Sequence, residues 1–288
     1  MLDLEWFDLP AGRRPEARRR VRLPFVRLGG TSGPTMVVLP GLSDGLLPLS
    51  EDRARDALRS FRPLPFQIRM VSYRDPLDDA VSTEELAADV VAFIDGHVGA
   101  PVVVTGHSMG GLVAQHVAST RPDLVTRLVL TATLAAPVTA FARQIERWDD
   151  LVAGGHWRDF YRDAIAASYT GSELLKRRVA LRVLGAKPVP HRVGRHHSLA
   201  QACLAHDSRD ALSNITSPTL VMAGERDPVV PPAASRSLAD ALPDGRFVVL
   251  DHASHGFPEQ YPHRTYREVA RFLDLDPDLS RRILEGDG

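Results

Sequence analysis

Residues 102–112 read Val-Val-Val-Thr-Gly-His-Ser-Met-Gly-Gly-Leu, and everything else in the chain is placed by reference to them. The opening VVVT is a short β-branched run of the kind found in buried strands. It passes through Gly106-His107-Ser108-Met109-Gly110 into a helical pattern over 108–120. A strand that turns abruptly into a helix forces its central residue into a strained conformation, and side chains beside that residue would strike the neighbouring chain. The glycines flanking Ser108 meet that constraint. The turn presents the Ser108 hydroxyl at the edge of a sheet, where it can meet a substrate.

On either side, β-branched runs alternate with longer helical patterns, which predicts a mostly parallel sheet covered by helices on both faces. The runs are 2–9, 20–28, 35–39, 67–73, 102–105, 126–130, 219–223 and 246–250, giving an α/β fold with eight strands. The first two, separated by a Pro- and Gly-punctuated turn, read as an antiparallel edge hairpin. Helical patterns cover 50–61, 82–97, 108–120, 232–242 and 263–274. Ser82 with Glu85 three positions on forms a capping-box pair.

Residues 137–206 break the alternation with three or four helical patterns and no strand. Phe141, Ile145, Trp148 and Val152 recur at helical spacing, as do Trp157, Phe160, Ala164 and Tyr169. The expected organisation is a core of residues 1–136 and 207–288 interrupted by a helical cap at 137–206. The aromatic stripes read first as buried helix faces; Trp148 and Trp157 are candidate pocket residues on the alternative reading.

A serine hydroxyl is a weak nucleophile at neutral pH and needs a base, itself oriented by an acid. On a parallel sheet both must come from loops at the carboxyl ends of other strands. The loop after 219–223 supplies Asp227 in Gly-Glu-Arg-Asp-Pro, and the loop after 246–250 supplies Asp-His-Ala-Ser-His-Gly. Two histidines compete there. His252 follows the strand directly and is expected to be buried or to face solvent, so His255 is the preferred base. Glu225 competes with Asp227 but sits two residues early. His107 is expected to face the pocket wall or the helix packing.

With nucleophile, acid and base in that order, the chain resembles the α/β-hydrolase superfamily, in its cap-bearing, serine-nucleophile branch. The resemblance covers nearly the whole chain, including PTLVMAGERDPVVPP around Asp227. It implies Ser108 as nucleophile, Asp227 as acid and His255 as base. It further implies an oxyanion hole made by the backbone amides of Leu42 and Met109. In the loop Leu39-Pro40-Gly41-Leu42-Ser43-Asp44-Gly45, Pro40 stands where a His-Gly pair is usual, which leaves the loop's bracing unexplained; Ser43 and Asp44 are candidate pocket residues. The implied activity is hydrolysis of an ester, thioester or lactone through an acyl-enzyme. Acyl transfer, carbon–carbon bond hydrolysis, lyase or cyclase chemistry, cofactor-free peroxidation and a silent receptor remain alternatives. A serine at this position disfavours dehalogenase and epoxide hydrolase chemistry, whose enzymes carry aspartate there.

Composition narrows the partners. The 288 residues carry 35 Lys+Arg and 36 Asp+Glu, so a net charge of -1 gives no global case for nucleic acid or a membrane. Any charged partner must be met locally. The region 137–206 holds 11 basic and 6 acidic residues. The four arginines Arg143, Arg147, Arg158 and Arg162 read first as coating the solvent face of amphipathic helices; if some of them face inward instead, a small-molecule substrate with an anionic group is expected. Cys203 is the only cysteine, and the N-terminus lacks a secretory pattern, so a cytoplasmic protein is expected; its oligomeric state, monomer or homodimer, is left open. His191, His196, His197 and His206 make no helical metal pair and read as loop or surface histidines. No metal and no cofactor is assigned.

Overall fold

A computed structural model describes residues 4–10, 21–29, 33–47, 49–50, 65–77 and 79–275. Its strands are β1 (Leu4–Asp8), β2 (Arg22–Gly29), β3 (Thr35–Leu39), β4 (Gln67–Val71), β5 (Val102–His107), β6 (Val125–Thr131), β7 (Thr219–Gly224) and β8 (Gly245–Leu250). They form one sheet in the order β1-β2-β4-β3-β5-β6-β7-β8. The β1–β2 and β2–β4 pairs are antiparallel, and every other pair is parallel. The chain moves from β3 outward to β4, then back across to β5. The crevice at the carboxyl ends of β3 and β5 is therefore the switch point where ligands bind in such sheets.

Alternation along the strands sorts the core onto two faces. Val37, Leu39, Val102, Val104, Leu128 and Leu130 pack with helices α1 (Thr83–Phe93) and α2 (Met109–Thr120) on one side. On the other, Met36, Val38, Val103 and Val129 pack with Phe257 and with Tyr266 and Val269 of the last helix. The capping box at α1 is present, Ser82 Oγ accepting from the Glu85 amide at 3.2 Å and Glu85 Oε2 from the Ser82 amide at 3.0 Å.

Some boundaries differ from expectation for local reasons. Strand β5 continues to His107 because its ladder with β6 persists through Gly106↔Leu130 and His107↔Thr131. Strand β4 stops at Val71, and the side chains of Ser72 and Tyr73 bond to the loop after β3. The helix expected at 82–97 ends at Phe93 and widens into a π turn over Ile94–Val98. Of the helix expected over 50–61, all but Ser50 lies outside the described residues.

Between β6 and β7 come four helices, α3 (Thr139–Ala153), α4 (Trp157–Ser168), α5 (Gly171–Leu184) and α6 (Val193–Ala205). After β7 follow α7 (Pro232–Ala241), α8 (Phe257–Gln260) and α9 (Pro262–Phe272). Among the described residues, no helix is long and apolar enough to cross a membrane.

The reading of His191, His196, His197 and His206 as loop or surface histidines is corrected at His196, which lies buried in a helix, while His206 is a loop residue but a buried one. His196 and His206 are buried, the latter with Nδ1 2.9 Å from Thr83 Oγ1 and its ring edge-on to His116 at 5.0 Å. Burial lowers His196 to about 4 and His206 to about 3. Both are thus neutral in the folded protein at pH values where unfolded histidine, titrating near 6.5, takes up a proton. Their stabilising contribution is complete above pH 6.5 and is lost as pH falls toward 4. We expect the urea-unfolding free energy to drop between pH 6.5 and pH 5 by on the order of 1 kcal/mol per pH unit per histidine. His206→Gln should reduce that slope; an identical slope in the variant would exclude His206 as a source.

Candidate active site

Ser108 sits between β5 and α2 with φ 53° and ψ −119°. That strained backbone requires the flanking glycines. A Cβ on Gly106 would lie 2.2 Å from the Gly110 carbonyl oxygen, and one on Gly110 would lie 2.2 Å from that of Leu39. Gly111 is equally constrained, its hypothetical Cβ meeting Thr133 at 2.6 Å. Three close approaches around one turn account for the glycine content of the stretch.

His255 Nε2 lies 3.0 Å from Ser108 Oγ, and His255 Nδ1 lies 2.8 Å from Asp227 Oδ2. The other carboxylate oxygen of Asp227 accepts from the amides of Val229 at 2.8 Å and Val230 at 2.9 Å. Two backbone donors therefore fix the carboxylate, which fixes the imidazole, whose far nitrogen faces the serine. His252 is elsewhere: its side chain is 70% exposed, against 8% for His255, and its Nδ1 is 2.8 Å from Arg226 Nη2. Glu225 accepts from the His252 amide at 2.7 Å. His107 packs its ring 5.1 Å from that of His255, with Nδ1 3.1 Å from Thr131 Oγ1. Burial, followed by the neighbouring His255, lowers its pKa to about 3, so it stays neutral beside the serine.

The loop after β3 packs against the same turn, since a Cβ on Gly41 would lie 3.6 Å from Ser108 Cβ. Leu42 starts a short 3-10 turn over Leu42–Gly45, and Met109 is the first residue of α2. The loop's bracing, unexplained by the sequence, comes from four side chains. Tyr73 Oη donates to the Pro40 carbonyl at 2.7 Å, and Ser72 Oγ donates to Asp44 Oδ1 at 2.6 Å. Arg195 Nη2 donates to Asp44 Oδ2 at 2.8 Å, and Arg192 Nε donates to the Gly45 carbonyl at 3.0 Å.

Asp44, a candidate pocket residue, has both carboxylate oxygens engaged in holding the loop to β4's exit and to α6. Ser43 is exposed. Trp148 Nε1 donates to Asp163 Oδ1 at 3.0 Å, which joins α3 to α4, and Trp157 is half-buried at the start of α4. Neither is hydrogen-bonded to Ser108, His255 or Asp227. Arg143, Arg147, Arg158 and Arg162 are all exposed, with Arg147 paired to Asp163 and Arg162 to Asp159. The arginines of this region that reach the loop at Asp44 are Arg192 and Arg195. Sequence reading missed them because their partners are about 150 residues away.

The base loop is held from the same insertion. Ser254 Oγ donates to the Ala167 carbonyl at 2.6 Å, the Gly256 amide donates to the Ser168 carbonyl at 2.9 Å, and Thr170 Oγ1 donates to the His252 carbonyl at 3.0 Å. Both loops that approach Ser108 are thus fastened to the helices between β6 and β7. Displacing those helices would disturb both loops.

Residues 78–259 match the family model described as serine aminopeptidase, S33 (Hydrolase_4). A pimeloyl-[acyl-carrier protein] methyl ester esterase of Chromobacterium violaceum is 33% identical over 214 residues, covering 69% of this chain and 75% of that protein. The enol-lactonase of Burkholderia xenovorans LB400 superposes with a TM-score of 0.75 over 88% of this chain and 97% of its own, at 21% identity. A thermophilic esterase of Thermogutta terrifontis gives 0.73 over 94% and 98%, also at 21% identity. The two superpositions show a shared fold.

Proposed function

The chain belongs to the serine aminopeptidase S33 family of α/β hydrolases, and from that premise we propose that it cleaves carboxylic esters of small, partly apolar substrates through an acyl-Ser108 intermediate. It is a hydrolase, and its relative in Chromobacterium violaceum bears the name of a methyl ester esterase. What carries the reading to particular residues is the hydrogen-bond chain from Asp227 through His255 to Ser108, at 2.8 and 3.0 Å.

In this reading Ser108 Oγ attacks the ester carbonyl while His255 Nε2 takes its proton. Asp227 holds the Nδ1–H tautomer and stabilises the imidazolium that forms. The amides of Leu42 and Met109 donate to the oxyanion, and the start of α2 adds the positive end of its dipole. Collapse of the tetrahedral intermediate expels the alcohol, protonated by His255. Water, deprotonated by the same imidazole, then releases the acid and regenerates Ser108. Helices α3–α6 act as a cap over the crevice, and no step calls for a metal or cofactor.

The test is covalent labelling. A fluorophosphonate is expected to add one group, mapped by peptide mass to Ser108, with Ser108→Ala unlabelled and inactive on a short ester series. Turnover surviving in Ser108→Ala would overturn the mechanism. Products that incorporate an added alcohol in preference to water would redirect it to acyl transfer.

A further inference from the structure

His107 stands immediately before Ser108 at the end of β5, and the steps of acyl transfer leave its ring unused. Three neighbours locate that ring. Nδ1 faces β6, 3.1 Å from Thr131 Oγ1. Cδ2 faces the loop after β3, because the Cβ that Gly41 lacks would lie 3.6 Å from Cδ2 and 3.6 Å from Ser108 Cβ. The His255 ring is 5.1 Å away, tilted by 49°. Nε2 follows Cδ2 around the imidazole, on the edge farthest from the backbone, and so lies at the end of β5 between the loop after β3 and the base. Among the described residues it has no hydrogen-bond partner. His107 is half-buried and keeps accessible surface, yet it is enclosed enough that burial lowers its pKa to about 3. Those two properties together belong to the wall of a recess.

Thr131 decides which nitrogen carries the proton. Its hydroxyl has one proton and two acceptors in reach, His107 Nδ1 and the Gly106 carbonyl at 3.4 Å. One assignment satisfies both contacts: Thr131 donates to the carbonyl, and His107 Nδ1–H donates to Thr131. Nε2 is then a bare lone pair beside the nucleophile. A recess that holds such an acceptor discriminates against ligands with no proton to offer it, since the acceptor loses its water and gains nothing in return.

We propose that His107 Nε2 accepts a hydrogen bond from the substrate, and that the preferred ester therefore carries an O–H or N–H donor on a carbon next to the ester group. The inference rests on the reading of Ser108 as nucleophile and deepens it by naming a substrate class. Adjacency to Ser108 and contact with the His255 ring restrict the donor to a place close to the scissile carbonyl, on its acyl or its alcohol side. His107 is in this account a specificity-determining residue. It exchanges no proton in the reaction, and its neutrality keeps a second positive charge away from the imidazolium that forms on His255.

The full chain is tested on two series of esters. The acyl series is methyl 2-hydroxyhexanoate, methyl 2-methoxyhexanoate and methyl hexanoate; the alcohol series is the 2-hydroxyethyl, 2-methoxyethyl and propyl esters of hexanoic acid. Each kcat/KM is divided by the ester's own rate of alkaline hydrolysis, which removes inductive differences. In one of the two series the hydroxyl ester is expected to exceed both of its partners at least about tenfold, and that series tells which side of the carbonyl His107 reads. The unsubstituted ester separates hydrogen bonding from steric exclusion of the ether. In His107→Phe the ratio of hydroxyl to unsubstituted ester should fall to within about twofold of unity, while His107→Gln, whose amide oxygen can accept, should keep a ratio above about threefold. No preference for the hydroxyl ester in either series by wild type, or an undiminished ratio in His107→Phe, would overturn the proposal. Either result would leave the catalytic reading standing as long as fluorophosphonate labels Ser108 and the unsubstituted esters turn over. A wild type that is unlabelled and hydrolyses none of these esters would defeat the catalytic reading, and this inference with it.

Discussion

His255→Ala is expected to lower kcat by about 10⁴-fold or more, and Asp227→Asn by about 10⁴-fold, with little further loss when the two are combined. The non-additivity follows from how the groups are linked. Asp227 reaches the reaction only through His255 Nδ1, so once the imidazole is gone its carboxylate has nothing to orient. Asp227→Asn keeps the shape, but its amide nitrogen, turned toward Nδ1, would select the tautomer whose proton sits on Nε2. That tautomer cannot accept from Ser108. KM should change much less than kcat, since neither side chain is needed to hold the uncharged part of a substrate. His252→Ala should remain close to wild type, because that ring is largely in solvent and bonds Arg226 rather than Ser108. Steady-state kinetics on one short ester decides the matter. A dead His252→Ala with a functional His255→Ala would transfer the base to the other histidine.

The sequence was informative where a residue's neighbours in the chain dictate its environment. The turn at Ser108 is local, built from glycines within three residues of it, and so it could be read together with the strand before it and the helix after it. The alternation of runs likewise gave eight strands, because each buried strand needs its own β-branched stretch. Asp227 and His255 were legible because each follows such a run, and the carboxyl ends of parallel strands share one edge. What escaped were pairings between distant segments. Nothing near Asp44 in the chain announces that Arg195 will meet it, and nothing near His206 announces Thr83. Trp148 and Trp157 could be assigned a helical face, but periodicity does not say whether that face meets a cavity or another helix. For the arginines at 143, 147, 158 and 162, amphipathic spacing already favoured the solvent face, and in the fold all four are exposed.

The pair formed by Arg195 and Asp44 carries the second large effect. Their side chains are 10% and 3% exposed, and Arg195 also donates to the carbonyls of Arg74 at 2.7 Å and Tyr73 at 3.0 Å. Arg195→Met would leave the Asp44 carboxylate buried with Ser72 as its remaining side-chain donor, a loss of about 3–5 kcal/mol in stability. Because Asp44 lies two residues after Leu42, in the same short turn, its displacement should also misplace the Leu42 amide. Loss of one oxyanion donor corresponds to a fall in kcat of about 10²-fold, with KM within a few-fold. Instability alone would produce a different pattern, namely less folded enzyme with unchanged kcat per active site as titrated by fluorophosphonate. The double variant Asp44→Asn with Arg195→Met separates the two effects: removing both charges should restore much of the stability, yet the loop would still lack its tie to α6 and kcat would stay low. Arg195→Lys should be intermediate, since one ammonium can pair with Asp44 but cannot reproduce the planar fork that spans three acceptors. Wild-type kcat per titrated site in a folded Arg195→Met would show that α6 contributes stability here and does not position the oxyanion loop.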